Sequence, residues 1–207
     1  FHGMTKPYDG FIVEPNNDPS VKAYPYNPEK AKALLKEAGY PNGFEIRFGT
    51  TTGSYIKDLE VSQVIAQYLG QVGIKVDLES YDEARFSKAI KSKKGDFELY
   101  FLGQGGWASV LRALGRTLDG RQSPWAFHQW VNKDWVELYD KASSEPDRSK
   151  YIEHVWKAQK ITWDEAPWIF LYHQPAIAGV SKSLGDWEIW ANEKMLLHYT
   201  VLEKLRK

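Results

Sequence analysis

The sequence predicts an α/β fold, a mixed sheet with helices on both faces. Three observations predict it. Apolar–polar alternation and helical periodicity take turns from 44 to 102, giving strand–helix–strand–helix–strand. That order favours parallel strands joined by right-handed crossovers. The first three helices each stop at a glycine, Gly39, Gly73 and Gly95, with a new apolar alternation close behind. The composition, 43% hydrophobic and 26% charged over 207 residues, is that of a folded globular chain.

Taken in order, residues 1–26 are irregular. Pro7, Pro15, Pro19 and Pro25, with several Gly and Asn, interrupt any long element. Such a stretch reads as a lead-in or interdomain segment. Asn27 is then an N-cap candidate, and Pro28 suits the first helical position. Ala31, Leu34, Leu35 and Ala38 form one apolar stripe, Gly39 ends the helix, and Pro41 prevents it from resuming. Asn42-Gly43 is a turn, and Phe44, Ile46 and Phe48 alternate with polar residues as a strand with one buried face.

A second helix is expected over 54–72, with Ile56, Leu59, Val64, Ile65, Tyr68, Leu69 and Val72 mostly on one face. Ile74, Val76 and Leu78 make the second strand. Asp82 caps a third helix with Ala84, Phe86, Ala89 and Ile90 inward, and Phe97, Leu99 and Phe101 begin a third strand. Past Trp107 the chain reads as irregular, with Gly115, Gly120 and Pro124. Asn132 caps a fourth helix and Asp147 a fifth, from about 148 to 165. Trp168 to Tyr172 reads as an apolar strand after Pro167.

Composition excludes several functions. There are 27 basic and 27 acidic residues without a block of either sign, so nucleic acid is not an expected partner. No apolar run reaches the roughly 20 residues of a membrane helix. With no cysteine there is no disulfide and no thiolate metal site. The loop after the third strand lacks the Lys-Ser/Thr of a phosphate-binding loop, and no Gly-x-Ser-x-Gly elbow is present. Asp58 with Glu60, and Asp164 with Glu165, read as solvated charges on helix faces. His2, His128, His154, His173 and His198 lack metal-ligand spacing. No enzyme and no cofactor are expected.

An open α/β sheet binds ligands outside the carboxyl ends of its strands. The candidate there is the loop Gly103, Gln104, Gly105, Gly106, Trp107, Ala108 and Ser109, with Arg112 just beyond. Three glycines let backbone approach a ligand closely, and Trp107 offers a flat apolar face. Aromatic residues are 14% of the chain. A stand-alone carbohydrate-binding module with exposed Trp rings is therefore an alternative reading.

The wording of 27–46, Asn-Pro-Glu-Lys-Ala-Lys-Ala-Leu-Leu-Lys-Glu-Ala-Gly-Tyr-Pro-Asn-Gly-Phe-Glu-Ile, goes further. It resembles a signature of extracellular solute-binding protein family 5, the ABC-transporter binding proteins for dipeptides, oligopeptides, nickel and some oligosaccharides. Leu69 to Val76, Lys94 to Trp107, and Asp147 to Tyr172 with its Glu-Ala-Pro at 165–167 are similar to later family segments in the same order.

The resemblance implies one lobe of a type II (cluster C) periplasmic-binding-protein-like fold, from the C-terminal portion of a longer protein. Residues 27–182 would be the ligand-binding lobe, and 183–207 would return toward an N-terminal lobe. The implied partners are a small-molecule ligand (peptide or oligosaccharide), that N-terminal lobe and the membrane permease. The implied location is periplasmic or extracellular, and a lipid anchor at the N-terminus of the longer protein is compatible with it. In peptide-binding members an aspartate three residues after the Trp holds the ligand amine, and some carry an Arg three residues before it. Here those positions are Val110 and Gln104. The resemblance therefore points to a neutral polyhydroxyl ligand, a modified peptide or an opine-like compound.

Overall fold

Asn27 opens α1 (Pro28–Glu37) by accepting the Lys30 N–H at 2.9 Å, and Gly39, at φ +90°, turns the chain out of it. The computed structural model describes residues 12, 16–91, 97–103, 109–121, 130–174, 179 and 181. After α1 come β1 (Glu45–Thr51), α2 (Asp58–Gln71), β2 (Lys75–Tyr81), α3 (Glu83–Lys91) and β3 (Leu99–Tyr100). They are followed by α4 (Val110–Thr117), α5 (Lys133–Ser144) and α6 (Arg148–Glu165).

The described sheet has the order β2-β1-β3, and all its pairs are parallel. β1 runs in register with β2 from Glu45 opposite Lys75 to Thr51 opposite Tyr81, and with β3 at Phe48 opposite Leu99. The two crossovers step in opposite directions from β1 and back over it, so right-handedness puts α2 and α3 on opposite faces. On the α2 face the Ser62 hydroxyl lies 2.8 Å from Thr50 Oγ1. On the other face Gly49 leaves room for the Phe97 ring, which would come within 2.8 Å of a Cβ at that position. β1 is central, and Phe48, Gly49, Thr50 and Thr51 are all buried at its carboxyl half.

The second layer is helical. α5 and α6 are joined by three residues and bury Trp135, Tyr139, Ala142, Val155 and Ala158, with Leu114 and Leu118 packed on them. Trp135 is wholly buried, stacks on Tyr139 and donates its Nε1–H to Thr162 Oγ1 at 3.1 Å. The stretch from 16 to 24 lies along α6. The Asp18 N–H donates to Gln159 Oε1 at 2.8 Å, and Trp156 and Trp163 donate to the carbonyls of Asn16 and Lys22.

Several expectations change. The chain past Trp107, read as irregular, forms α4, because Ala113, Leu114 and Leu118 share a buried face and Gly115 is itself buried there. The apolar run 168–172 is not a continuous strand. Only Tyr172 makes a bridge, and Ile169 is 55% exposed. Ala166 takes a left-handed conformation before Pro167, so the chain leaves α6 in a turn rather than entering a ladder. α2 begins at Asp58 rather than 54. The apolar stripe of α1 is uncovered: no α1 residue is buried among the described contacts, and Leu34 is 53% exposed.

Candidate ligand-binding site

The carboxyl ends of β1, β2 and β3 meet three connections: 52–57, Asp82, and the start of the glycine-rich loop at Gly103. β1 is prolonged by one bond, Thr52 N–H to Tyr81 carbonyl at 3.1 Å. The chain then turns at Gly53, φ +87°, a conformation open to glycine. Behind this turn sits Asp58, 3% exposed. Its Oδ2 accepts the Thr51 hydroxyl at 2.8 Å, the Ser54 N–H at 3.0 Å and the Tyr55 N–H at 3.2 Å. Its Oδ1 accepts the N–H groups of Gly53 at 3.0 Å and Leu59 at 2.9 Å.

Asp58 was expected on a solvated face, and that expectation is overturned. An aspartate at a helix start normally reaches water or one backbone N–H, whereas this one turns inward and takes up the loop before its own helix. Burial pushes its carboxyl up, but the hydrogen bonds from Gly53, Thr51, Tyr55 and Leu59 outweigh burial and hold it below the usual carboxylate range. Burial, and then the Asp58 charge, push the Tyr172 phenol up.

Tyr55 carries the loop across to β3. Its ring meets Phe101 edge-on at 6.1 Å, and its hydroxyl lies 3.4 Å from the Gly103 carbonyl. Ser54 donates its hydroxyl to Glu83 at the start of α3, at 2.8 Å. The surface so built presents backbone groups, hydroxyls and one half-buried ring. It can hold a solute by hydrogen bonds and apolar contact.

Of the residues singled out in the sequence, Gly103 is exposed at the end of β3, and Ser109 and Arg112 are exposed at and near the start of α4. Gln104, Gly105, Gly106, Trp107 and Ala108 lie outside the described residues, as does His128. Val110 is half-buried against the helical core, so the first turn of α4 supplies no carboxylate there. Glu165 accepts hydrogen bonds from the Trp130 and Asn132 side chains, and Asp164 pairs with Lys160; both are exposed, as expected. Among the described residues no cluster of three His, Asp or Glu could hold a metal, and no helix is long and apolar enough to cross a membrane.

Sequence reasoning missed Tyr55 and Asp58. The signal that could have found them is Thr-Thr-Gly-Ser-Tyr directly after an apolar strand, a turn composition at a strand's carboxyl end. A separate apolar groove of about 290 Å³ lies between β3 and the 166–171 segment, lined by Phe48, Ile65, Leu99, Phe101, Trp168 and Leu171.

The carboxyl ends of parallel strands are where open α/β sheets bind ligands. Comparison with known proteins gives the family of the chain. The model of the bacterial extracellular solute-binding proteins, family 5 Middle, matches residues 1–119. Over 201 residues, 89% of this chain, the sequence is 31% identical to the glutathione-binding protein GsiB of Pectobacterium atrosepticum. Over 159 residues, 75% of the chain, it is 30% identical to di/tripeptide-binding protein 2 of Pseudomonas aeruginosa. The fold matches the periplasmic binding protein DppA of Helicobacter pylori, solved with the peptide STSA. The TM-score is 0.73 and the identity 25%, over 84% of this chain and 34% of that one.

The chain therefore belongs to the bacterial extracellular solute-binding proteins of family 5. These are transport binding proteins rather than enzymes, which replaces the reading of a stand-alone carbohydrate module. The chain spans 37% of the length of the glutathione-binding relative and 30% of the di/tripeptide-binding one.

Proposed function

We propose that this chain forms one wall of the ligand cleft in a solute-binding protein that delivers a short peptide or peptide-derived solute to an ABC permease. The observation that carries this is the wall at the carboxyl ends of β1 and β3, where the Asp58-bound loop sets Tyr55 beside Gly103. The residues singled out in the sequence, 103–109 with Trp107 among them and Arg112, are the further ligand contacts of this reading. Residues 27–182 are the ligand-binding lobe, 1–26 the lead-in and 183–207 the segment leading to the other lobe, which closes over the ligand by a hinge. The site of action is outside the cytoplasmic membrane, where a lipid anchor elsewhere in the protein would keep it near the permease.

The first ligand to try is a peptide whose amine is not presented as in an α-linked chain. Val110 packs on the helical core where the resemblance expects an amine-binding aspartate, and an ammonium buried without a counter-charge is costly. Glutathione is such a peptide, since its first amide is made through the glutamate side chain. The relatives named for glutathione and for di/tripeptides support this class.

Calorimetry on the whole protein that carries this chain tests it, with glutathione, Ala-Ala, Ala-Ala-Ala and mannohexaose as ligands. Glutathione is expected to bind at least tenfold tighter than the α-linked peptides, about 1.4 kcal/mol. Equal binding of Ala-Ala-Ala would refute the inference from Val110. Tight mannohexaose binding with no peptide binding would refute the peptide class.

A further inference from the structure

We propose that Asp58 is a positioning residue of the ligand wall. Through the 53–55 backbone it holds Tyr55 against Gly103, and this interlock sets the spacing between the β1–α2 loop and the end of β3, and with it which solute fits. The inference rests on the function proposed above and adds the device that tunes it.

Three observations carry it. The first is where the Asp58 bonds go. Four of its hydrogen-bond donors, Thr51, Gly53, Ser54 and Tyr55, lie upstream of α2, and only Leu59 belongs to the helix it begins. Capping a helix needs one or two acceptor bonds to the helix's own first turn. This carboxylate instead gathers the loop before the helix, using both oxygens on the consecutive backbone N–H groups of Gly53, Ser54 and Tyr55. A carboxylate shared among several N–H groups fixes their relative positions more tightly than one neutral acceptor would, because each charge-assisted bond is shorter and stronger.

The second is what the loop then touches. Ser54 is tied to Glu83 at 2.8 Å, so the loop is also held sideways to the start of α3. Tyr55 lies between Phe101 and Gly103. The third is the lack of slack at that contact. A Cβ on Gly103 would stand 2.3 Å from Tyr55 Cε1 and 2.6 Å from Cδ1. Gly103 is thus glycine because the Tyr55 ring occupies the space of a side chain. Any shift of the ring carries into the Gly103 backbone at the end of β3.

The test uses the whole protein, with glutathione and Ala-Ala-Ala as probes, and reads the ratio of their Kd values beside the thermal midpoint. Asp58→Asn sets an NH2 against N–H donors whichever way the amide is turned. Gly103→Ala leaves the carboxylate and its five bonds in place and pushes on the ring, so it serves if Asp58→Asn does not fold. Each is expected to change the Kd ratio at least fivefold. Gly103→Ala and Tyr55→Ala are expected to be non-additive, because both act through one contact.

A lowered thermal midpoint with an unchanged Kd ratio in both variants would leave Asp58 a purely structural residue and overturn the inference. Additive effects of Gly103→Ala and Tyr55→Ala would overturn it as well. If the unsubstituted protein binds neither probe, the function on which this rests fails first. If it binds either one and the ratio holds in every variant, only the positioning role fails.

Discussion

The two ends of the sheet are built in opposite ways. At the amino end, β1 and β2 are entered through two glycine turns, Gly43 at φ +74° and Gly73 at φ +96°. The turns press backbone on backbone: a Cβ on Gly43 would sit 1.8 Å from the Gly73 carbonyl oxygen. Lys75 N–H closes the corner on the Phe44 carbonyl at 2.8 Å, and an exposed Lys75–Glu45 ion pair covers it. At the carboxyl end, a buried carboxylate holds a loop whose outer groups remain exposed. The first arrangement locks backbone on backbone, with the exposed Tyr40 and Phe44 rings packed edge to face beside it. The second keeps polar groups and a ring at the surface in fixed positions, as a preorganised binding wall requires.

Substitutions at the two ends separate these roles. The largest loss of stability is expected from Gly43→Ala, roughly 3 kcal/mol from left-handed strain plus overlap with backbone that cannot retreat. Gly39→Ala, at φ +90° with nothing within 4 Å of its Cβ, isolates the strain alone and should cost about 1 kcal/mol. Urea denaturation of both variants measures the difference, and equal losses would mean that the Gly43–Gly73 contact yields.

Asp58→Asn comes next, at about 2 kcal/mol for the loss of charge-assisted bonds, and it is pH-dependent. The folded Asp58 carboxyl lies below its ordinary value, so the unfolded chain takes up the proton first as pH falls. The stabilisation is complete at neutral pH. It declines once pH drops through the ordinary carboxylate value of about 4, and it is gone below the depressed folded value. The stability gap between Asp58→Asn and the unsubstituted protein should therefore narrow in acid. A gap independent of pH would show that the charge is not what holds the loop. The smallest effect is expected for Lys75→Ala, under about 0.5 kcal/mol, since the pair is exposed on both sides.

Much of this fold was legible in the sequence where a residue acts on its immediate neighbours. Asn27, Asn132 and Asp147 cap the helices they precede, and Gly39 and Gly73 end helices. Each of these effects is confined to one turn. What was not legible depended on distant partners. The stripe of α1 shows that a face is apolar, not that this chain covers it. Gly115 reads as a breaker, yet it is buried on a helix that another layer supports.

Trp168–Tyr172 has strand composition, but the turn at Ala166 sends it along a groove instead. Asp58 looks like any charge at a helix start until its loop is seen folded back on it. At the candidate site the order of strands and the glycine run point to the carboxyl end of the sheet, where Gly103 lies. Tyr55 was not legible, because its importance comes from Gly103, 48 residues further on.

The most direct question is whether the carboxyl end of the sheet, and not the amino end, forms the ligand wall. Calorimetry with glutathione on the whole protein measures this, comparing Trp107→Ala and Tyr55→Ala with Lys75→Ala. At least a tenfold weaker Kd is expected for the first two, about 1.4 kcal/mol, and no change for Lys75→Ala. Unchanged binding in Trp107→Ala and Tyr55→Ala, while the unsubstituted protein binds, would contradict a wall at the carboxyl end and place the ligand elsewhere.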